Sequence, residues 1–435
     1  MIRARILNFF KKDYNIRGVL VISITVIFFV KIILAYSLRD SFFDRGNSHT
    51  AIFALAKNIA ESNMFSIEMP ILSIDYEPLY PFLIGLAFKI FGYNWFGPTF
   101  LQIVISITGG ILLFNVLMKI TNNALIGLFT MLYYLCYPYY FLYSLSIFDS
   151  NLFGFLLILL FYFLMCKDWG VSNWILTGIT IGLLLLTRGT IITILPGIVF
   201  FICYNAFIGN KDFNKIFQSL LTVVLFTIIT ISPWVIRNYK LTKEIIISTH
   251  GPFGLWQGNN QYSYDYLKNN ISLDEIYRKS NPPSIVQSYP IKPRDPNDAI
   301  FVSNQYKIEA VDYIKENPNQ FFKLALVKFV KLWSPIRNPH SSDPSFSSNR
   351  ARQFLYFGSY FPLLLTLPMG LYFLYKRYLG IFIFFSSVLV LYSLAHMIFI
   401  GFTRARIPID FILIVCLGFL LNVIFERKKE DYISR

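Results

Sequence analysis

The chain has 435 residues, of which 55% are hydrophobic and 14% charged, with a mean hydropathy of +0.54 and a formal net charge of +15. That balance excludes an ordinary soluble enzyme and describes an all-α, polytopic membrane protein. The basic residues are scattered between apolar runs and form no groove-reading motif, which excludes nucleic acid as their partner.

A bilayer core takes roughly 20 apolar residues per helix. In chain order, the apolar runs predict about ten transmembrane helices, near 18–36, 98–118, 124–145, 150–166, 172–187, 190–208, 216–233, 354–375, 379–399 and 407–425. The first follows the basic segment RARILNFFKKDYNIR and lacks a small-residue cleavage site, so it is expected to be an uncleaved signal anchor. LYPFLIGLAFKIF, from Leu79, is too short to span and reads as re-entrant or interfacial. The four cysteines, Cys136, Cys166, Cys203 and Cys416, lie in or at the edge of apolar runs and show no disulfide or metal spacing.

Arg3, Arg5, Lys11, Lys12 and Arg17 precede the first span. Lys119, Lys167, Lys211, Lys215, Lys376, Arg377, Arg427, Lys428 and Lys429 sit at alternate helix ends. The positive-inside rule then puts all of them, and both termini, in the cytoplasm of a multi-pass protein of the cell membrane. The sequence divides into a transmembrane catalytic module (1–233) with a first outer loop (37–97), an extracytoplasmic region (234–353) and C-terminal transmembrane helices (354–435).

On the outer side the loops carry their own helices. HTAIFALAKNIAESNMF, AIFVSNQYKIEAVDYIKENP and FFKLALVKFVKLW alternate apolar and polar residues at helical spacing, the last with lysines placed to snorkel. The proline-rich NPPSIVQSYPIKPRDPND between them is a loop, suited to a lid. The same side gathers Asp149 in SIFDSN, Arg188 in LLLTRGT, and Arg404 and Arg406 in GFTRARIP. A charge at the bilayer centre costs about 2.5–3.5 kcal/mol on insertion scales, so the acids and arginines converging on one face need water, partners or a task there. A transporter would place them at the midplane on repeated broken helices, and no internal repeat is visible.

The run PWVIRNYKLTKEIIISTHGPFGLWQGNN, from Pro233, resembles a signature of integral-membrane glycosyltransferases with the GT-C fold, the group that includes aminoarabinose transferase and protein O-mannosyltransferases. The similarity extends to EPLYP at 77–81, LTRGT at 186–190, YIKENPNQFFKLALVKFVKLW at 313–333 and TRARIP at 403–408. The resemblance implies transfer of a sugar from a polyprenyl-phosphate donor to a lipid, glycan or protein acceptor on the extracytoplasmic side, with inversion. Missing GxGxxG, P-loop and DxD motifs agree with a lipid rather than a nucleotide donor. A polymerase or ligase using polyprenyl-diphosphate glycans is the alternative enzyme class, and a lipid or sugar transporter the non-enzymatic one.

The resemblance implies an aspartate base in the first outer loop, here Asp44 first and Asp40 second. The family spacing before LAKN falls on Ser48 instead, one helical turn away; His49 is a further polar option. Asp75 and Glu77 are candidates for acceptor recognition or for a divalent ion such as Mg²⁺ or Mn²⁺, and equally form an exposed turn. Tyr80 follows them and suits the interfacial belt. Asp149 stands where the family has Glu, at a position a helix dipole also favours. Arg237, Arg406, Arg404 and Arg188, in which guanidinium fits phosphate bidentately, are the candidate phosphate ligands. The chain is expected to leave the bilayer at Pro233–Trp234, which puts Arg237 at headgroup depth. Gly251, Gly254 and Gly258 suggest tight turns, with Trp256, Asn259 and Asn260 contacting a sugar or forming the loop core.

Overall fold

The structure is a computed structural model that describes residues 16–39, 51–165, 170–208, 213–269, 295–336 and 350–433. Every regular element among these residues is helical. The N-terminal part comprises α1 (Ile16–Arg39), α2 (Ala51–Ser62), α3 (Leu79–Phe91), α4 (Phe96–Thr121), α5 (Ala124–Cys136), α6 (Pro138–Tyr143), α7 (Asp149–Leu164) and α8 (Val171–Leu185). After a 3-10 turn at Gly189–Thr193 come α9 (Leu195–Ile208), α10 (Phe213–Thr242), α11 (His250–Gly258), α12 (Ser263–Asn269), α13 (Pro296–Glu316) and α14 (Pro318–Trp333). The chain closes with α15 (Arg350–Arg377), α16 (Leu379–Ile398), α17 (Thr403–Arg406), a 3-10 turn at Ile407–Ile409 and α18 (Asp410–Ile433).

Six of the described helices are long and apolar enough to cross a membrane, and five more are apolar but shorter. The predicted span at 124–145 is divided between α5 and α6 because Pro138 has no N–H to continue the ladder. The span predicted at 190–208 opens as a 3-10 turn before α9 for its first residues. The three predicted amphipathic helices are present as α2, α13 and α14.

Two expectations are corrected. The seventh span does not end at Pro233–Trp234: α10 runs through Pro233 to Thr242. Proline removes the N–H that would bond the Ile229 carbonyl, and the Ser232 hydroxyl donates to that carbonyl at 3.0 Å instead. Gly251, Gly254 and Gly258 are not turn residues but part of α11. Gly258 serves a close approach, since a Cβ there would stand 1.9 Å from the Phe399 carbonyl oxygen.

Packing between spans relies on small residues, because in lipid the helices gain little from hydrophobicity and must approach closely to gain dispersion contacts. In the GITIG segment of α8, a Cβ on Gly178 would lie 2.5 Å from the Val223 carbonyl oxygen, and one on Gly182 would lie 2.5 Å from Thr230 Cβ. Thr227 adds an interhelical bond, donating to the Gly178 carbonyl at 3.1 Å. Polar groups inside the bundle are paired in the same spirit: the buried Lys31 of α1 donates to Ser106 at 2.9 Å and Ser144 at 2.8 Å. α8 in turn packs on α7, whose first residue is Asp149. Gly182→Leu is therefore expected to part α8 from α10 at a cost of roughly 1–3 kcal/mol, lowering the detergent-solubilised melting temperature; an unchanged melt would contradict this packing.

Candidate active site

α8 ends at Leu185, and its last carbonyls are taken by the turn that follows: Arg188 N–H donates to Leu184 O at 2.8 Å. This turn places Arg188 against the start of α7. Its Nε and Nη2 donate to the two carboxylate oxygens of Asp149 at 2.7 and 2.9 Å, and Nη2 also reaches Ser150 Oγ at 2.9 Å. Arg404, in α17, lies 3.8 Å from the same carboxylate with its guanidinium over the Phe148 ring at 4.2 Å. Three sequence-distant groups thus meet, and all remain partly open, with side chains 15% (Asp149), 19% (Arg188) and 27% (Arg404) exposed. Burial opposes the Arg188 charge, but the Asp149 carboxylate outweighs it and holds the guanidinium above its ordinary range.

Below this cluster runs a buried amide network that composition had hidden. Gln102 Nε2 donates to Tyr80 Oη at 2.5 Å and to the Phe148 carbonyl at 2.9 Å, while its Oε1 accepts from Asn151 Nδ2 at 2.6 Å. Tyr80 is 2% exposed, so it holds the start of α7 from within and does not sit in the interfacial belt. Gln102 and Asn151 were legible as amides interrupting apolar runs, a signal that in a membrane helix means a partner or a task.

The first outer loop docks beside the cluster. Leu79 N–H donates to Leu186 O at 2.9 Å, and the Glu77 carboxylate accepts from Gly189 N–H at 3.3 Å and Ser248 Oγ at 3.1 Å. Asp75 accepts from Ser73 Oγ at 2.8 Å and Thr249 Oγ1 at 3.1 Å. EPLYP and LTRGT therefore touch. The two acids face hydroxyls and an N–H rather than each other, and among the described residues no group of three or more His, Cys, Asp or Glu is placed to hold a metal ion. Asp40, Asp44, Ser48 and His49 lie outside the described residues.

Arg237 and Arg406 stand elsewhere. Arg237, within α10, donates to the Ser73 carbonyl at 2.9 Å and Asn238 Oδ1 at 2.8 Å and lies over Trp234 at 4.4 Å, clasping the loop that carries Asp75. Arg406 does not reach the mouth of the site. Its side chain and that of Asp410 are 0% exposed, paired at 2.8 Å, with the guanidinium 3.5 Å over Tyr360 and donating to the Leu332 and Ser334 carbonyls. A guanidinium is charged at all relevant pH, and Asp410 one turn further along meets that charge where solvent cannot.

Trp256 and Asn259 are also turned inward, 3% and 0% exposed. Asn259 Nδ2 donates to Leu255 O and Ile398 O at 2.8 and 2.7 Å, and its Oδ1 accepts from Lys328 Nζ at 2.9 Å. Lys328 does not snorkel. It is fully buried and also donates to the Met397 and Ile398 carbonyls at 3.2 Å, capping the end of α16. Burial brings its pKa down from 10.5 to about 7.

A family model for dolichyl-phosphate-mannose-protein mannosyltransferase matches residues 75–236, less than half of the chain but including Asp75, Asp149 and Arg188. Among solved structures, the archaeal oligosaccharyltransferase AglB of Archaeoglobus fulgidus, in complex with an inhibitory peptide and a dolichol-phosphate, is 14% identical with a TM-score of 0.51 over 93% of this chain. The A. fulgidus oligosaccharyltransferase tethered to an acceptor peptide gives 0.53 over 96%, again at 14% identity. The chain has the GT-C fold. It spans 50% of the length of each of these archaeal enzymes. ArnT from Cupriavidus metallidurans bound to undecaprenyl phosphate is 13% identical, with a TM-score of 0.41 over 91% of this chain and 77% of its own. No curated protein matches the chain by sequence. Within this GT-C bundle the Asp149 cluster sits where the matched N-terminal segment and the C-terminal Arg404 turn meet.

Two outcomes follow. Asp149→Asn leaves Arg188 without its carboxylate and is expected to destabilise the protein by about 2–3 kcal/mol, less than the 3–5 of a fully buried pair, and Asp149→Asn/Arg188→Gln recovers part of that loss; additive losses in denaturant titrations would contradict the coupling. For Lys328, the folded chain binds fewer protons than the unfolded chain between about pH 7 and 10.5, so stability rises with pH across that window. Lys328→Met is expected to flatten the rise in melting temperature, and an unaltered slope would contradict it.

Proposed function

We propose that the chain is an inverting GT-C glycosyltransferase of the cell membrane, moving a sugar from a polyprenyl-phosphate donor to a lipid, glycan or protein acceptor on the extracytoplasmic side, with both termini cytoplasmic. The observation that carries this reading is the partly open Asp149–Arg188–Arg404 cluster, set at helix ends where a headgroup of a membrane-dissolved carrier would arrive. The archaeal structure that shares the fold was captured with a dolichol-phosphate, a carrier of this chemical class.

In the reaction, the acceptor oxygen attacks the anomeric carbon as the bond from that carbon to the phosphate oxygen breaks on the opposite face. The phosphate leaves with the electron pair, and a carboxylate takes the acceptor proton. Asp44, with Asp40 second, supplies that carboxylate from the first outer loop. Arg188 and Arg404 supply positive charge to the departing phosphate, and Asp149 fixes the direction of both guanidiniums. Asp75 and Glu77, held beside the cluster by Thr249 and Gly189, border the acceptor path. Arg237, Arg406, Tyr80, Trp256 and Asn259 act by holding the walls. If a divalent ion takes part, Asp75 and Glu77 are the candidate ligands, Glu77 accepting from Gly189 N–H beside Arg188, and the assay includes Mg²⁺, Mn²⁺ and chelator arms.

The test is turnover by the purified chain of lipid-monophosphate sugars against diphosphate-linked oligosaccharides. Monophosphate turnover is expected, with Arg188→Ala lowering kcat/KM by ~10²–10³-fold and Asp44→Asn by ~10²–10⁴-fold. Turnover of diphosphate donors alone would favour a polymerase or ligase. Movement of substrate across vesicles without a new glycosidic bond would make it a transporter.

A further inference from the structure

His396, near the end of α16, is 6% exposed, and neither ring nitrogen has a hydrogen-bond partner among the described residues. Buried polar groups in folded proteins are nearly always paired, and an exception marks a ligand, a water or a catalytic role. Its surroundings say which kind of group would suit it. The ring packs edge-on against Tyr392, with centroids 4.4 Å apart at 85°. The Tyr392 hydroxyl donates to the Ala405 carbonyl at 2.7 Å, between Arg404 and Arg406, and lies beside Arg188 and Thr190.

Two positive side chains act on the imidazole, those of Arg188 and Lys328. Lys328 has its ammonium occupied by Asn259, Met397 and Ile398. A buried hydroxyl without a partner among the described residues, that of Thr403, lies two residues before the carbonyl that Tyr392 holds. A neutral imidazole always presents one N–H. The imidazole N–H and the Thr403 hydroxyl therefore find no acceptor among the described residues, and positive side chains act on the ring. A ligand suited to them brings oxygen lone pairs and negative charge.

We propose that His396 is a ligand of the carrier phosphate, its ring N–H donating to a non-bridging phosphate oxygen that Arg188 also holds, with Thr403 lining the same recess. This inference rests on the reading of the Asp149 cluster as the donor site, and adds to its two guanidiniums an uncharged donor from α16. An uncharged donor binds the phosphate without bringing a further positive charge beside Arg188 and Arg404, which limits like-charge repulsion.

The experiment measures binding of undecaprenyl phosphate to the full chain in lipid nanodiscs, for the native sequence, His396→Phe, His396→Gln and Arg188→Ala, with inorganic phosphate as competitor. His396→Phe, which fills the space without a donor, is expected to weaken binding about tenfold, the scale of one hydrogen bond to a charged group. His396→Gln, which keeps an N–H, is expected to remain within about threefold of the native protein. If His396→Phe elutes as an aggregate, Thr403→Val takes its place, with a weaker but measurable loss expected. Unchanged affinity in the folded His396 and Thr403 variants, alongside a loss in Arg188→Ala, would overturn the role of His396 and leave the donor site standing. Absence of lipid binding by the native chain would remove the donor-site reading itself. Competition by inorganic phosphate as strong as by the lipid would overturn the carrier assignment in favour of free phosphate.

Discussion

The bidentate pair between Arg188 and Asp149 is the contact on which the rest of the site depends. Each charge alone at a helix end near the bilayer would be unfavourable, and together they become a fixed dipole that stays in reach of solvent. The pair joins the end of α8 to the beginning of α7. Around that joint, Gln102 and Asn151 lock the start of α7 from below, and Glu77 and Leu79 bind the turn from the side. The first outer loop is thereby attached to the same few residues that orient the guanidinium.

Arginine performs two opposite tasks in this molecule. Arg406 is sealed, its charge met by Asp410 and its face by Tyr360, and it ties α14 to the start of α18. Arg237 clasps the loop at Ser73. Arg188 and Arg404 both face the Asp149 carboxylate, and their cluster remains partly exposed. Sealed pairs set geometry; the open one is available to an anion. In the proposed reaction such preorganised charge would help, because nothing has to reorient when a phosphate leaves.

The helices were largely legible in the sequence because hydrophobic length and helical periodicity are local properties. α2, α13 and α14 follow directly from their spacing. Local signals misled where a single neighbouring atom decides the outcome. Pro233 reads as a stop, yet the Ser232 hydroxyl takes the carbonyl it orphans and α10 continues. Gly258 reads as a turn, yet its value is contact with Phe399. Asp149, Arg188 and Arg404 were legible only within a larger set of polar residues that also held Arg237 and Arg406. Which arginine is buried was not, since that depends on Asp410, Tyr360 and the end of α14 meeting in three dimensions. Lys328, Tyr392 and His396 were overlooked for the same reason: one looks like a snorkelling lysine, the others like polar punctuation in an apolar helix.

The account stands on the claim that one extracytoplasmic cluster, built on Asp149, receives a lipid-linked phosphate. The most direct measurement is an experimental density map of the protein in nanodiscs with a bound polyprenyl phosphate. The account places the headgroup against Arg188 and Arg404, with its oxygens on the side of α16. A headgroup resolved at the opposite membrane face, or resting on Arg237 with the Asp149 cluster untouched, would contradict it.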